Sequence, residues 1–312
     1  MNRKKLLIGF LIFLVSIIAI DFVAGSVLKK AFYGVKKGAN SVATYAIDSS
    51  KEDIVFFGSS RCANHYNPEV ISQVLNMPCL NAGRSGQMIP YPYPVFKAMA
   101  ARHAPKIIGL EVYFPDLTKN DVSYEKTVSS LLPYCNDNKE IKDFICEIDP
   151  KEKVLLLSKS YPYNSKIFDL ILQKDEKYKF PRNGFYEKPV KEKMEAYRFQ
   201  NLVADPNVVI DEKKVEVLER FIKDCQTMNI KLYLFTSPYF YEVKDHPVIN
   251  RIKSLADKYH VSYYNFINDT AFTGKGNLFF DAAHLNKNGA SLYSLTVAEL
   301  IKSSWQNQIA GR

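Results

Sequence analysis

The sequence predicts an α/β domain in three layers, α/β/α, built on a mostly parallel five-stranded sheet. Short apolar runs alternate with segments of amphipathic helical spacing, and this order gives parallel strands covered by helices on both faces. One apolar run also stops at a glycine followed by two serines, Gly58-Ser59-Ser60. Open α/β sheets build their sites where strands end in this way. The 312 residues, with 47% hydrophobic and 24% charged side chains, suffice for a buried core.

The predicted strands are apolar runs bounded by turn-forming residues. They cover Ile54–Phe57, Cys79–Leu80, Lys106–Phe114, Ile230–Thr236 and Val261–Phe266. The predicted helices lie between and after them, at Glu69–Leu75, Tyr93–His103, Asp211–Asn229, Ile249–Tyr259 and from Asn288-Gly289 to about Ser303. The chain therefore repeats a strand-then-helix unit, except in one long interval.

Residues 117–205 interrupt this alternation. The interval is rich in Tyr, Lys, Glu and Pro and is too long for a plain connection. We expect an inserted lid or subdomain near the site, helical or irregular in structure. Its aromatic residues either stack on sugar faces or pack against the main domain. They are Tyr161, Tyr163, Tyr178, Phe180, Phe185 and Tyr186.

The N-terminus predicts a membrane segment. Leu6 to Leu28 contains a single charge, Asp21, and is long enough to cross about 30 Å of hydrocarbon as a helix. Arg3, Lys4 and Lys5 precede it and favour a cytoplasmic N-terminus. We therefore expect a membrane anchor or signal in residues 1–30, a connector in 31–52 and an extracytoplasmic domain in 53–312.

Two observations leave alternatives to an uncleaved anchor. Four lysines follow the span closely, at positions 29, 30, 36 and 37, and nearly balance the charges before it. Asp21 also leaves an uninterrupted apolar run of only 15 residues, Leu6 to Ile20, which fits a cleaved signal peptide with Ala-Gly-Ser as a poor cleavage site. A buried helix of a soluble protein is the third option. Both an anchor and a signal would export the domain.

The net charge of +9 is spread along the chain and is not interleaved with aromatic residues, so a nucleic-acid partner is not expected. A surface near the membrane, a polyanionic envelope polymer or a solvated face explains it. Five cysteines form no C-x-x-C pair and no metal-ligand spacing with histidine. They are interpreted as small buried hydrophobes, with a Cys135–Cys146 disulfide as the alternative.

Three residues could together perform acyl transfer. Ser60 lies at the strand end as a nucleophile, and its own backbone N–H can point into the oxyanion site. Asp281 and His284 are three residues apart, so the carboxylate can orient the imidazole toward the serine. Such a site requires no metal and no cofactor.

The layout resembles the SGNH/GDSL hydrolase superfamily, whose sheet is flavodoxin-like. Its first block is a strand ending in Gly-x-Ser, and its last block is Asp-x-x-His before the C-terminal helix. The resemblance covers residues 53–116 and 207–303. It implies that Ser60 is the nucleophile and that His284 and Asp281 complete the triad.

The second family block, Asn-x-x-x-Ser-Gly, is matched by Asn81 to Gly86. The resemblance implies that Gly86 donates to the oxyanion and that Asn81 belongs to the same oxyanion or substrate-binding region. The third block departs from the family, because Pro115 stands where the family has an asparagine donor. Losing such a donor costs about 10²-fold or more in rate. Tyr113, Asn64 or a residue of the insertion could replace it.

Gly-Ser-Ser-Arg in place of Gly-Asp-Ser resembles the membrane-anchored branch of the superfamily, whose members belong to envelope polysaccharide or cell-wall acylation systems. Arg61 then either holds an anionic substrate group or forms a structural salt bridge. His65 is a rival imidazole, ranked below His284 because no carboxylate lies beside it in sequence.

Together these features predict an exported, membrane-anchored serine esterase or acyltransferase acting on an O-acylated, chiefly O-acetylated, envelope polysaccharide. Its expected partners are the acylated glycan, the membrane and proteins of a polysaccharide-assembly system. The alternative is a carbohydrate-binding or scaffold subunit that keeps the fold but lacks a competent oxyanion site.

Overall fold

The structure is a computed structural model, and it describes residues 3–167, 182–191 and 208–310. The chain divides into two compact units, which are described separately. The first lies within Met1–Ser41 and Val128–Lys179, and the second lies within Val42–Thr127 and Phe180–Arg312. Parts of the predicted insertion, including Tyr178 and Phe180, lie outside the described residues.

The strands are β1 (Ile54–Phe57), β2 (Cys79–Asn81), β3 (Ile107–Glu111), β4 (Lys231–Thr236), β5 (Ser262–Asn265), β6 (Phe279–Asp281) and β7 (His284–Leu285). The helices are α1 (Arg3–Gly34), α2 (Gly38–Asp48), α3 (Ser60–His65), α4 (Pro68–Leu75), α5 (Pro92–Arg102), α6 (Phe114–Leu117), α7 (Val122–Leu131), α8 (Lys139–Ile148), α9 (Glu152–Leu155), α10 (Glu212–Thr227), α11 (Pro247–Lys258) and α12 (Lys287–Ala310). Helix α2 occupies much of the segment expected to be a connector.

Five strands of the second unit form one parallel sheet in the order β2-β1-β3-β4-β5. This is the flavodoxin-like order, in which the strand sequence reverses direction next to β1. The predicted α/β class and the parallel five-stranded sheet are confirmed. The third strand ends at Glu111 rather than at Phe114, because Phe114 begins the short helix α6 and Pro115, in its first turn, has no N–H to continue the ladder.

Alternate side chains of β1 enter opposite layers, as the two-residue period of a strand requires. Phe56 stacks on Tyr66 at 4.7 Å between ring centroids, in the core that includes residues of α4 and α12. Phe57 points the other way, toward Phe96 of α5 and Phe221 of α10. Helices therefore cover both faces of the sheet, and each face buries its own apolar cluster.

The first unit is built on α1, a helix long and apolar enough to cross a membrane by length and composition. Its C-terminal end packs against the rest of this unit. Phe32 is buried there, and its ring lies 5.4 Å from that of Tyr134 and 5.9 Å from that of Tyr163. Tyr163, one of the aromatic residues of the insertion, is therefore a packing residue.

All five cysteines are free thiols, and all five are buried. Cys135 and Cys146, the pair considered for a disulfide, are not joined. Both pack as small apolar side chains in the first unit, and burial raises the pKa of the Cys135 thiol to about 12. Thiols in this state are poor nucleophiles, which fits the interpretation of the cysteines as core residues.

Candidate active site

The turn from β1 into α3 places two serines in different environments. Gly58 adopts a φ of +148°, and a Cβ there would lie 2.9 Å from the Cβ atoms of Cys62 and Glu111, so the turn requires glycine. Ser59 is buried and caps α3, its hydroxyl accepting the Arg61 N–H at 3.4 Å. Ser60 is partly exposed and begins the helix. The second serine is therefore the one available for chemistry.

The predicted triad residues lie together in the second unit. The Oγ of Ser60 is 2.8 Å from Nε2 of His284. The other ring nitrogen, Nδ1, lies 2.9 Å from both carboxylate oxygens of Asp281. An Nδ1–H donating to the carboxylate leaves Nε2 as the acceptor for the serine hydroxyl, which is the tautomer that general-base catalysis needs.

Asp281 and His284 face each other because β6 and β7 form a tight antiparallel turn in which they are paired residues. The carboxylate also accepts the backbone N–H groups of Ala283 and His284, each at 2.9 Å. Burial opposes ionisation of Asp281, but the hydrogen bonds from the His284 ring and the two N–H groups outweigh it and lower its pKa. The aspartate is thus held as an anion oriented on the imidazole.

The loop of the second family block lies against the turn from β1 into α3. The N–H of Ala82 donates to Phe56 and the N–H of Arg84 donates to Gly58, at 2.8 and 2.9 Å. Gly86 is exposed in the same loop with a φ of +77°. Within the described part of the chain its N–H has no hydrogen-bond partner. Gly86 therefore keeps a free backbone donor in this loop.

Asn81 does not face a substrate. It is fully buried, and its amide nitrogen donates to the carbonyls of Cys62 and Tyr66 at 2.8 and 2.7 Å. Its amide oxygen accepts the N–H of Gly83 at 2.9 Å. These contacts use the polar atoms of Asn81 to join the loop to α3, so its placement differs from the expected oxyanion or substrate contact.

Arg61 differs from the expectation of an anion-binding residue in the same way. Its guanidinium is fully buried and its Nε donates to Glu111 at 3.0 Å. Its Nη atoms donate to the carbonyls of Ala283, Ser237 and Pro238. Burial disfavours its charge, but the Glu111 carboxylate outweighs this and raises the pKa of Arg61. Of the two alternatives, the structure shows the salt bridge.

His65, the rival imidazole, is also used structurally. Its Nε2 accepts the N–H of Leu285 at 3.0 Å, and its Nδ1 lies 2.8 Å from the hydroxyl of Ser237. Burial, with Arg61 and His284 nearby, holds its pKa well below the usual value, so the ring is neutral. Since Nε2 is an acceptor, the proton resides on Nδ1 and is donated to Ser237.

Arg61 and His65 therefore bind the peptide units on both sides of His284, one through the Ala283 carbonyl and the other through the Leu285 N–H. Glu111 joins the two, because it accepts from Arg61 and from the Ser237 hydroxyl at 2.7 Å. Sequence reasoning missed the role of Glu111. The available signal was a carboxylate inside the apolar run of β3, where a charge requires a buried partner.

The third block supplies no asparagine donor. Pro115 lies in the first turn of α6, and the buried carboxylate of Asp116 accepts the N–H of Tyr113 at 2.9 Å. Tyr113 places its ring 4.8 Å from the Arg61 guanidinium. The amide nitrogen of Asn64 donates to the carbonyl of Ser60, while its amide oxygen is buried and has no hydrogen-bond partner among residues 3–167, 182–191 and 208–310. Of the replacement candidates, Asn64 therefore contacts the backbone of Ser60, the predicted nucleophile.

Residues 182–191 of the insertion belong to the second unit and contact the site's elements. The N–H of Tyr186 donates to the carbonyl of Ala63 in α3 at 2.8 Å. The ammonium groups of Lys188 and Lys191 lie 5.0 and 3.8 Å from the ring centroid of Phe280, the neighbour of Asp281. Two cations thus lie over the ring of Phe280, which precedes Asp281 in β6. The described residues include no cluster of three or more His, Cys, Asp or Glu side chains placed to hold a metal.

Comparison with known proteins returns solved structures but no family model and no curated protein. A protein assigned to the lipolytic G-D-S-L family of Desulfitobacterium hafniense aligns over 79% of this chain and 98% of its own, at 12% identity and a TM-score of 0.38. A protein assigned as an acylhydrolase from Bacteroides fragilis aligns over 84% and 94%, at 11% identity and a TM-score of 0.37. A Streptococcus structure described as a platelet activating factor aligns over 85% and 90%, at 12% identity and a TM-score of 0.37.

Proposed function

We propose that this chain is an SGNH-type serine esterase or acyltransferase. The observation that carries the proposal is the continuous hydrogen-bonded series from Ser60 Oγ through the His284 ring to Asp281. Each contact has the length that acyl transfer by a serine requires, and a proton on Nδ1 of His284 would give each the required direction. The order of the residues along the chain, with nucleophile after the first strand and acid and base before the last helix, agrees with the family resemblance.

In the proposed reaction, Ser60 Oγ attacks the ester carbonyl while its proton passes to Nε2 of His284. Asp281 stabilises the imidazolium that forms, and the N–H groups of Ser60 and Gly86 stabilise the negative charge on the carbonyl oxygen. The imidazolium then returns the proton to the departing alkoxide, leaving an acyl-serine. Water or a sugar hydroxyl, deprotonated by His284, attacks this ester and restores the serine.

The proposed substrate is an O-acylated, chiefly O-acetylated, envelope polysaccharide, and the proposed location is outside the cytoplasm behind an uncleaved N-terminal span. The apolar, exposed surface of α1 and the basic residues before it support the anchor. The net charge of +9 and the two lysines beside Phe280 support a polyanionic glycan. A polysaccharide-assembly system would supply its protein partners.

The test compares fluorophosphonate labelling of the full chain with that of Ser60→Ala and its neighbour Ser59→Ala. We expect labelling to disappear in Ser60→Ala and to persist in Ser59→Ala, which loses only a helix cap worth about 1 kcal/mol. Acetate release from acetylated polysaccharide should fall by about 10³-fold or more in Ser60→Ala alone.

A second candidate function is favoured by Pro115, which removes the family's asparagine donor. In this alternative the chain is a carbohydrate-binding or scaffold subunit with a weak or inactive site. A folded wild-type chain that binds acetylated polysaccharide but takes up no fluorophosphonate would reject the esterase and support the scaffold.

A further inference from the structure

Asp21 lies within the apolar helix α1, and the structure shows how its charge is satisfied. Its carboxylate accepts the hydroxyls of Ser158 and Ser160 at 2.7 and 2.6 Å, and the backbone N–H groups of Lys159 and Ser160 at 2.7 and 3.2 Å. All of these donors come from one loop of the first unit. A carboxylate near hydrocarbon is costly unless protein groups bond to it, and this loop supplies such groups.

The same loop also makes an uncharged packing contact with α1, at Gly25. Gly25 is buried one turn after Asp21, and a Cβ there would lie 2.4 Å from the backbone carbon of Lys159. Only glycine permits this approach. Asp21 and Gly25 therefore form one stripe of α1 that docks the loop, while Phe22, Val23 and Val27 remain exposed on the rest of the helix.

The docked loop exposes apolar side chains of its own. Leu157 and Val154 are 78% and 68% exposed, and Leu155 is also exposed. Lysines alternate with them, at positions 151, 153 and 159, and each is exposed. Exposed aliphatic residues interspersed with lysines are typical of segments that lie in a membrane interface, where the chains enter the lipid and the ammonium groups reach phosphates.

Helix length fixes where the bilayer ends relative to Asp21. Leu6 to Ile20 spans only about 22 Å as a helix, short of the roughly 30 Å of a hydrocarbon core. Extending the span through Val27 gives about 33 Å. The bilayer must therefore reach past Asp21, to the level at which residues 158–160 contact the helix.

We propose that residues 151–160 form a second membrane contact, immersed in the outer leaflet beside α1, with Leu157 and Val154 in contact with lipid. The proposal rests on the membrane anchoring put forward under the proposed function. In this proposal the exposed apolar side chains of the loop contact the bilayer. Ser158 and Ser160 bond to the Asp21 carboxylate and separate it from lipid.

The test uses tryptophan quenching, because the chain has a single tryptophan, Trp305. In a Trp305→Phe background of the full chain, Leu157→Trp is reconstituted into phosphatidylcholine and phosphatidylglycerol vesicles with lipid brominated near the headgroup end of its acyl chains. Ile12→Trp reports the span. Val122→Trp, an exposed aliphatic position of the second unit, is the matched control.

We expect brominated lipid to lower the emission of Leu157→Trp and of Ile12→Trp by about twofold, and to leave Val122→Trp unchanged. Quenching of Ile12→Trp without Leu157→Trp would overturn the loop contact while leaving the anchor intact. If neither Ile12→Trp nor Leu157→Trp is quenched, both the loop contact and the membrane anchor are overturned. Equal quenching of all three variants would indicate unspecific adsorption to the vesicles and would also overturn the loop contact. Fluorophosphonate labelling of the protein in the same vesicles tests separately whether the proposed active site is reactive.

Discussion

Arg61 follows the proposed nucleophile directly in sequence, and its side chain turns into the core rather than toward a substrate. With His65, one helical turn later, it holds the backbone on both sides of His284. The same short helix, α3, therefore carries the proposed nucleophile, Ser60, and holds the backbone around the proposed base, His284. Their separation of 2.8 Å depends on these buried contacts as well as on the triad residues.

This role can be tested at His65 more cleanly than at Arg61, whose removal would leave Glu111 buried without its cation at a cost of about 3 to 5 kcal/mol. His65→Phe keeps a ring but loses both hydrogen bonds. We expect kcat for p-nitrophenyl acetate to fall by about 10- to 100-fold with little change in KM, because the base is displaced. His65→Gln keeps an acceptor for the Leu285 N–H and should recover part of the loss.

Equal loss in the two His65 variants, or a matching rise in KM, would contradict a positioning role. The rate of fluorophosphonate labelling provides a second measurement, since it depends on the serine and the base and requires no bound glycan. It should follow kcat through the series from wild type to His65→Gln to His65→Phe.

Asp116 makes a pH-dependent contribution to stability. Burial raises its pKa from 3.8 to about 7, although the Tyr113 N–H and Lys214 act in the opposite direction. Between these two values the folded state binds a proton that the unfolded chain has released. The contribution is therefore complete below about pH 4 and is lost as pH rises through 7.

Asp116→Asn keeps an oxygen that can accept the Tyr113 N–H and removes this titration. We expect its stability, relative to wild type, to be higher at pH 8 than at pH 5 by on the order of 1 to 3 kcal/mol. Urea unfolding followed by the fluorescence of Trp305, which packs on the core of the second unit, measures the difference. A difference that does not change with pH would exclude the titration of Asp116 as its cause.

At the scale of elements, α1 has two regions with different surfaces. Its surface changes from lipid-like along residues 6–20 to a mixture of exposed apolar residues and a docking stripe after Asp21. Two glycines of this helix differ in their surroundings. A Cβ added at Gly9 would meet no atom within 4 Å, whereas a Cβ added at Gly25 would collide with Lys159.

This difference gives a matched pair of substitutions. Gly25→Leu should force the loop at 158–160 off the helix, so amide hydrogen exchange across these residues should accelerate by about tenfold or more, because overpacking costs about 1 to 3 kcal/mol. Gly9→Leu should leave the exchange unchanged. Equal exchange in both variants would show that the loop does not depend on the close contact at Gly25.

At the scale of the whole molecule, the sequence predicted the fold class, and two of the three residues it proposed for a triad lie within hydrogen-bond distance of the third, His284. Strand positions followed from apolar runs, and Ser60, Asp281 and His284 followed from their residue types and their places at strand ends. The placement of these three residues could be predicted because each motif includes the turn that positions its own side chains. The end of β3 was predicted at Phe114 but lies at Glu111, because Phe114 and Pro115 form the first turn of α6.

The contacts of Arg61 and Asn81 could not be predicted from the sequence, because both side chains point into the core and bond to partners far away in sequence. A polar residue next to a nucleophile looks the same in sequence whether it faces solvent or the core. The docking of residues 158–160 on Asp21 was equally hidden, since nothing local to either segment indicates the other.

The buried guanidinium of Arg61 also bears on how the protein matures. Its partners are contributed by residues 111, 237, 238 and 283, so they become available in stages as the chain is made. A nascent chain that ends before residue 283 has a serine at position 60 but no base, and a cation that lacks the Ala283 carbonyl. Under the proposed function, acyl chemistry therefore begins only after synthesis has passed residue 284, where the proposed base and the backbone that Arg61 holds become available.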